Sequence, residues 1–194
     1  MMNNEKYDSP LSENTYKNRN SANSSSSTTA IAGGWIEAIG TIVAAIGNTP
    51  SKVISKSMLK DLRLIGNVLQ ANGSALVADN EELLLDIVGD QLQAIGNITV
   101  VAGILDTNEK SSQRLLTQGN LLQILGSGVS VNTQGSLSLI QNIDNIGNII
   151  QAIGNTIQVF ANTNTKEGIS MNALGVWIQA AGTVITALAA DYDN

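Results

Sequence analysis

The hydrophobic pattern of this chain repeats. A glycine is followed by an aliphatic residue three positions on, a Gln or Glu four on, a second glycine seven on and a small polar residue eight on. Gly147 to Asn155 shows the pattern in full, and it starts again at Gly33, Gly66, Gly89, Gly119 and Gly175. The aliphatic position holds Ile36, Leu69, Leu92, Leu122, Ile150 and Ile178, and position four holds Glu37, Gln70, Gln93, Gln123, Gln151 and Gln179. The second glycine is Gly40, Gly73, Gly96, Gly126, Gly154 and Gly182, followed by Thr41, Ser74, Asn97, Ser127, Asn155 and Thr183. Self-similarity in register at a period of this order marks a repeat architecture.

A spacing of three, four and seven is helical, because about 100° of rotation per residue brings those positions to one side. Positions −1, 6 and 10 form an apolar stripe that predicts the core. The Gln and the small polar residues make a narrow, uncharged polar stripe, and beyond it positions two, five and nine are again mostly apolar (Trp35, Ala38, Ile149, Ala152, Trp177, Val184). Surface helices of soluble proteins carry charge on their outer face. Helices like these belong in a multilayered bundle, an assembly or lipid. Each mid-helix glycine also costs about 1 kcal/mol relative to Ala, so close helix–helix approach is expected to offset it. The expected helix-seam and assembly residues are Gly40, Gly66, Gly73, Gly89, Gly96, Gly119, Gly126, Gly147, Gly154, Gly175 and Gly182, with Trp35 and Trp177 as packing residues.

The pattern predicts six helices as three antiparallel hairpins, since short polar loops favour antiparallel neighbours. The first runs from about Gly33 to Ile46 and stops before Pro50, which restricts its predecessor. The second runs from near Ser51 to Ala78. The third starts at Asp79-Asn80-Glu81-Glu82, a cap and acids suited to a helix N-terminus, and reaches Leu105. Asp106 to Glu109 cap the fourth, which frays near Val131; the turn Asn132-Thr133-Gln134-Gly135 leads to the fifth, Ser136 to Ala161, and the sixth spans Ile169 to Ala190. Residues 1–30, rich in Asn and Ser, read as a disordered tail, leaving 31–194 as a six-repeat helical domain. The fold class is all-α: a six-helix bundle or a short helical-repeat array with glycine-heptad seams.

Composition narrows the chemistry. Charged residues are 13% and aromatics 3% of the 194 residues, so any core is aliphatic. With no Cys and no His there is no disulfide, no thiolate and no imidazole base or ligand. A net charge of −6 argues against nucleic-acid binding. No enzyme activity and no cofactor or metal are expected. Glu82, Asp86 and Asp90 share one helix face as a weak cation site, though a solvated face is the plainer reading. Lys52, Lys56, Lys60 and Arg63 form a basic stripe that could meet an anionic lipid headgroup or the acidic start of the third helix on another subunit; a solvated stripe is again plainer. Asp106-x-Asn108 lacks the glycine and terminal Glu of a calcium loop, and Gly126-Ser127-Gly128 lacks the strand and Lys of a phosphate loop. Gly168 to Ala190 is uncharged for long enough to cross a bilayer, but Asn172, Gln179, Thr183 and Thr186 make it a poor isolated span.

The strings Gly34-Trp35-Ile36-Glu37-Ala38-Ile39-Gly40-Thr41-Ile42-Val43-Ala44-Ala45-Ile46-Gly47 and Gly66-Asn67-Val68-Leu69-Gln70-Ala71-Asn72-Gly73 resemble a family of uncharacterised repetitive proteins from Bacillus-type Gram-positive bacteria. The resemblance covers about residues 31–190. It implies a bacterial origin and no mechanism, and carries over no functional residue.

The expected role is therefore a non-catalytic structural scaffold that self-assembles into a homo-oligomer or filament, its matching first and last repeats stacking head to tail on neighbouring copies. The alternative, less favoured, is a membrane-active helical protein, a pore former or toxin. Without an apolar leader in the first thirty residues, the expected location is the cytoplasm or, by release without a cleaved signal, the exterior, the spore included.

Overall fold

Six α-helices follow one another in a computed structural model, which describes residues 10–81, 83–133 and 136–192, with side chains from Thr28 onward. They are α1 Pro10–Asn48, α2 Lys56–Ala78, α3 Leu84–Leu105, α4 Glu109–Val129, α5 Leu139–Phe160 and α6 Lys166–Tyr192. Each packs on its neighbours in sequence, most extensively within the hairpins α1–α2, α3–α4 and α5–α6, and α1 packs on α6. Backbones that are not adjacent in this order stay apart, so the six helices close into an antiparallel ring.

The hairpin seams explain the glycines. A Cβ placed on Gly40 would lie 2.7 Å from the Gly66 carbonyl oxygen, and one on Gly66 would lie 2.6 Å from that of Gly40. The same reciprocal approach joins Gly33 to Gly73, Gly89 to Gly126, Gly96 to Gly119, Gly147 to Gly182 and Gly154 to Gly175. All twelve repeat glycines therefore lie inside hairpins, two contact points in each, where only a hydrogen lets two backbones come this close. Gly128, outside the pattern, faces open space.

Inside and outside are inverted relative to the expected core. The position-four and position-eight residues are buried, while Ile39, Ile95, Leu125 and Ile153 at position six, and Ile65, Ile146 and Leu174 at position −1, are exposed. Buried apolar side chains are chiefly Ala, and the one cluster among the described residues is Ala44, Ala45 and Val176. The stripe expected as core is the outer wall. Helical periodicity finds a stripe but carries no sign for which side is inside.

Helix boundaries differ from expectation where capping competes with propensity. α2 waits until Ser55, whose hydroxyl accepts from Met58 N. Asp79 closes α2 instead of opening α3, which begins at Leu84 with no side-chain cap. Asn108 caps α4, and Ser138 with Gln141 forms a capping box on α5. α6 begins three residues before the expected Ile169, and Thr165 Oγ accepts from Gly168 N. Of the expected tail, residues 1–9 lie outside the described residues. The rest form the first turns of α1, Pro10 standing at the first helical position it suits; propagation from a formed helix is cheap even for poor formers. Gln134 and Gly135 of the expected turn also lie outside the described residues.

Candidate functional site

The site is the interior of the ring. Cα–Cβ bonds tilt toward the N-terminus of their own helix, and successive helices alternate in direction. The position-four side chains therefore divide into two sets of three. Gln70, Gln123 and Gln179 on α2, α4 and α6 face a cavity of about 570 Å³ at one end, and Glu37, Gln93 and Gln151 on α1, α3 and α5 face one of about 240 Å³ at the other. All six are only 2–9% exposed. The repeat thus becomes an approximate threefold arrangement of hairpins about the ring axis.

The first set is bonded into one cluster. Gln179 Nε2 donates to Gln123 Oε1 at 2.8 Å and to Gln70 Oε1 at 3.1 Å, while Gln158 Nε2 donates to Gln179 Oε1 at 2.9 Å. These bonds span α2, α4, α5 and α6 and close the ring across its axis. Between the cavities lie Thr41, Ser74, Asn97, Ser127, Asn155 and Thr183, which line neither cavity and are 0–1% exposed. Thr41 and Thr183 share a hydrogen bond of 2.7 Å from α1 to α6. Asn97 Oδ1, Ser127 Oγ and Asn155 Nδ2 are buried with no partner in the protein. Buried polar atoms are normally satisfied by protein or ordered water, and at this waist the protein leaves three of them unmet.

The two ends differ in charge. Loops 49–55, 106–108 and 161–165 lie at one end, where the larger cavity is lined by Lys56, Lys60 and Arg63. From Thr28 onward every Lys and Arg of the chain (Lys52, Lys56, Lys60, Arg63, Lys110, Arg114, Lys166) belongs to this basic end. The other end is acidic, with Glu37, Glu81, Asp86, Asp90 and Asp144 lining its cavity. Of the expected acidic face, Asp86 and Asp90 line this cavity and are partly exposed; Glu82 lies outside the described residues. Of the expected basic stripe, Arg63 is partly buried beside a cavity, Lys56 and Lys60 stand solvent-exposed at its rim, and Lys52 sits in the loop before α2.

The other expected residues divide between seam and wall. Gly40, Gly66, Gly73, Gly89, Gly96, Gly119, Gly126, Gly147, Gly154, Gly175 and Gly182 all sit at the seams within single hairpins. Trp35 is half-buried; Trp177 is 44% exposed on the outer wall, its Nε1 donating to Thr49 Oγ at 3.0 Å. The first and last repeats, expected as free faces for stacking, meet each other: besides the Thr41–Thr183 bond, Asn172 Nδ2 donates to Asn48 Oδ1 at 3.0 Å. No group of three or more acidic side chains among the described residues is placed to hold a metal ion.

Three helical segments among the described residues, 28–48, 84–105 and 166–192, are long and apolar enough to cross a membrane, and half or less of each such stretch is buried within the ring. Gln179 and Thr183, which mark the last as a poor span in sequence, both face the interior.

The sequence profile of a family of unknown function, DUF6944, matches residues 28–187, which is the helical ring without the first turns of α1 and the last turn of α6. No curated protein and no solved structure matches the chain.

Proposed function

We propose, for a chain that belongs to this family of unknown function, that it is a membrane-embedded six-helix barrel whose polar interior passes small polar species across a bilayer. One observation carries the reading: Gln, Asn, Ser and Thr fill the interior, while Ile, Leu and Val cover the outside. In water this arrangement is backwards, since it buries polar groups and leaves a broad apolar surface wet. In lipid it is the expected one: backbone groups are satisfied within helices, the outer wall meets acyl chains, and small residues bring helices together. At 1.5 Å per residue, helices of 21 to 27 residues span about 30–40 Å, enough for a hydrocarbon core of about 30 Å. The packed waist makes this the closed form, and opening requires the Thr, Ser and Asn side chains to part.

The charge asymmetry supports an orientation. Lys and Arg favour the cytoplasmic side, and the basic end has seven of them against Lys6, Lys17 and Arg19 upstream of residue 28. The basic end would then face the cytoplasm and its anionic lipid headgroups. Because the chain has no cysteine, single substitutions report cleanly. In intact cells, Ser138→Cys at the acidic end should react with an impermeant maleimide and Ser51→Cys at the basic end should not.

The primary test is fractionation and flux. The protein should resist alkaline extraction from membranes, and purified protein should release a small dye or ions from anionic vesicles. A monomer that stays soluble without detergent and leaves vesicles intact at a high protein-to-lipid ratio rules the reading out.

Self-assembly is the second reading, favoured by the same exposed outer wall, which copies of the chain could cover as well as lipid does. Head-to-tail stacking loses its support, because α1 and α6 occupy each other; lateral association of outer walls is the form that remains. Light scattering in detergent-free buffer separates the readings: a defined soluble oligomer favours assembly.

A further inference from the structure

The acidic cavity holds an asymmetry that the pore reading does not need. Five of the six copies of the repeat place Gln at position four, and the first places Glu37. That carboxylate, 9% exposed, faces the cavity also lined by Asp86, Asp90 and Asp144. No Lys or Arg is among the residues lining it. Amide donors also face the cavity, with Gln93 Nε2 at 3.4 Å from Asp90 Oδ1 and Asn148 Nδ2 donating to Asp144 Oδ2 at 3.2 Å. A second observation is independent of charge. Gln151, 2% exposed, lines the same cavity, and its carbonyl Oε1 has no hydrogen-bond partner. A buried acceptor left open beside several carboxylates asks for a donor or a cation.

We infer that this chamber is a binding site for one hydrated divalent cation, held by the carboxylates of Glu37 and Asp90 and the carbonyl of Gln151. The ion is held through its water shell, because the carboxylates are not grouped to strip it. Mg²⁺ keeps several of its waters on binding, and oxygen ligands suit Mg²⁺ and Mn²⁺ alike. A cavity of about 240 Å³ has room for an ion with such a shell. Placed on the axis behind the waist, the ion would also make the acidic end selective for cations, as rings of acidic side chains do in channels.

The site depends on the barrel alone and not on its being in a membrane, so binding is measured on the purified chain, in detergent where it requires one. Free Mn²⁺ is read by its paramagnetic resonance signal at fixed ionic strength. The wild type should remove one Mn²⁺ per chain, saturably, with Mg²⁺ competing. The double variant Glu37→Gln/Asp90→Asn should weaken binding at least tenfold, and Gln151→Leu, which alters no charge, several-fold, both with the helical circular-dichroism signal retained. Should the double variant fail to fold, Gln151→Leu and Glu37→Gln singly decide the same question. A wild type that leaves free Mn²⁺ unchanged overturns the inference, as does undiminished binding by the folded variants. Vesicle flux with no Mn²⁺ binding would sink this site and leave the pore standing; Mn²⁺ binding with no flux would do the reverse.

Discussion

The inner and outer walls of the ring come from the same helices and obey opposite rules. On the inner wall polar side chains bond across the ring and to nearby backbone: Thr41 to Thr183, Gln179 to Gln70 and Gln123, Asn145 to the backbone of Asn132. On the outer wall Ile95, Leu125 and Ile146 are more than half exposed, and no charged residue follows any of them before its helix ends. A soluble bundle relies on the hydrophobic effect acting inward. Here the inward-facing force is hydrogen bonding and close backbone contact, and the hydrophobic surface is left for the surroundings to cover. On the proposed membrane reading, interior and exterior are stable together because the surroundings are apolar.

The comparison can be broken at its strongest point, the hairpin seams of the inner wall. A Cβ at Gly66 would sit 2.5 Å from Ala44 N and 2.6 Å from Gly40 O, and backbone atoms cannot turn aside. Gly66→Leu should cost more than about 3 kcal/mol, the upper range of overpacking, read as lost cooperative melting by circular dichroism. On the outer wall, Ile95→Arg separates the surroundings directly. At mid-bilayer it costs about 2.5–3.5 kcal/mol of insertion, seen as depletion from the membrane fraction, whereas on a water-facing wall it stays within about 0.5 kcal/mol. Within the interior, Gln179→Leu strands Gln70 Oε1 and Gln123 Oε1 and should cost about 2 kcal/mol, at about 1 kcal/mol or more for each buried acceptor left unmet; the drop in denaturation midpoint measures it. The smallest effect has the opposite sign. Gly128 lies on α4 with nothing within 4 Å of an added Cβ, so Gly128→Ala should stabilise by about 0.5–1 kcal/mol, raising the melting temperature. Together with Gly66→Leu it shows whether a glycine is retained for its seam or merely tolerated.

Much of this was legible in the residues. The heptad spacing of glycine located the helices and pointed to close seams, because seven residues are nearly two full turns and bring the same face back to the same neighbour. The uncharged Gln and Asn stripe was visible too, and so was the single departure from it at Glu37. Asp86 and Asp90 read as a solvated face because a helical wheel places residues on a side but does not say what covers that side. The same limit hid the closing of α1 on α6, since the contact between Thr41 and Thr183 links positions at opposite ends of the chain, and no local rule reaches that far.

What the sequence determined by itself is local: helix, period, hairpin and the demand for glycine, each set by backbone geometry over one or two turns. Only the tertiary structure decided the rest: that the ring closes, that the polar stripe faces inward, and that acids from α1, α3 and α5 come together at one end. Those outcomes depend on how six similar surfaces share one axis. The balance between burying amides and exposing aliphatics is struck by the whole ring and its solvent, and no single helix carries it.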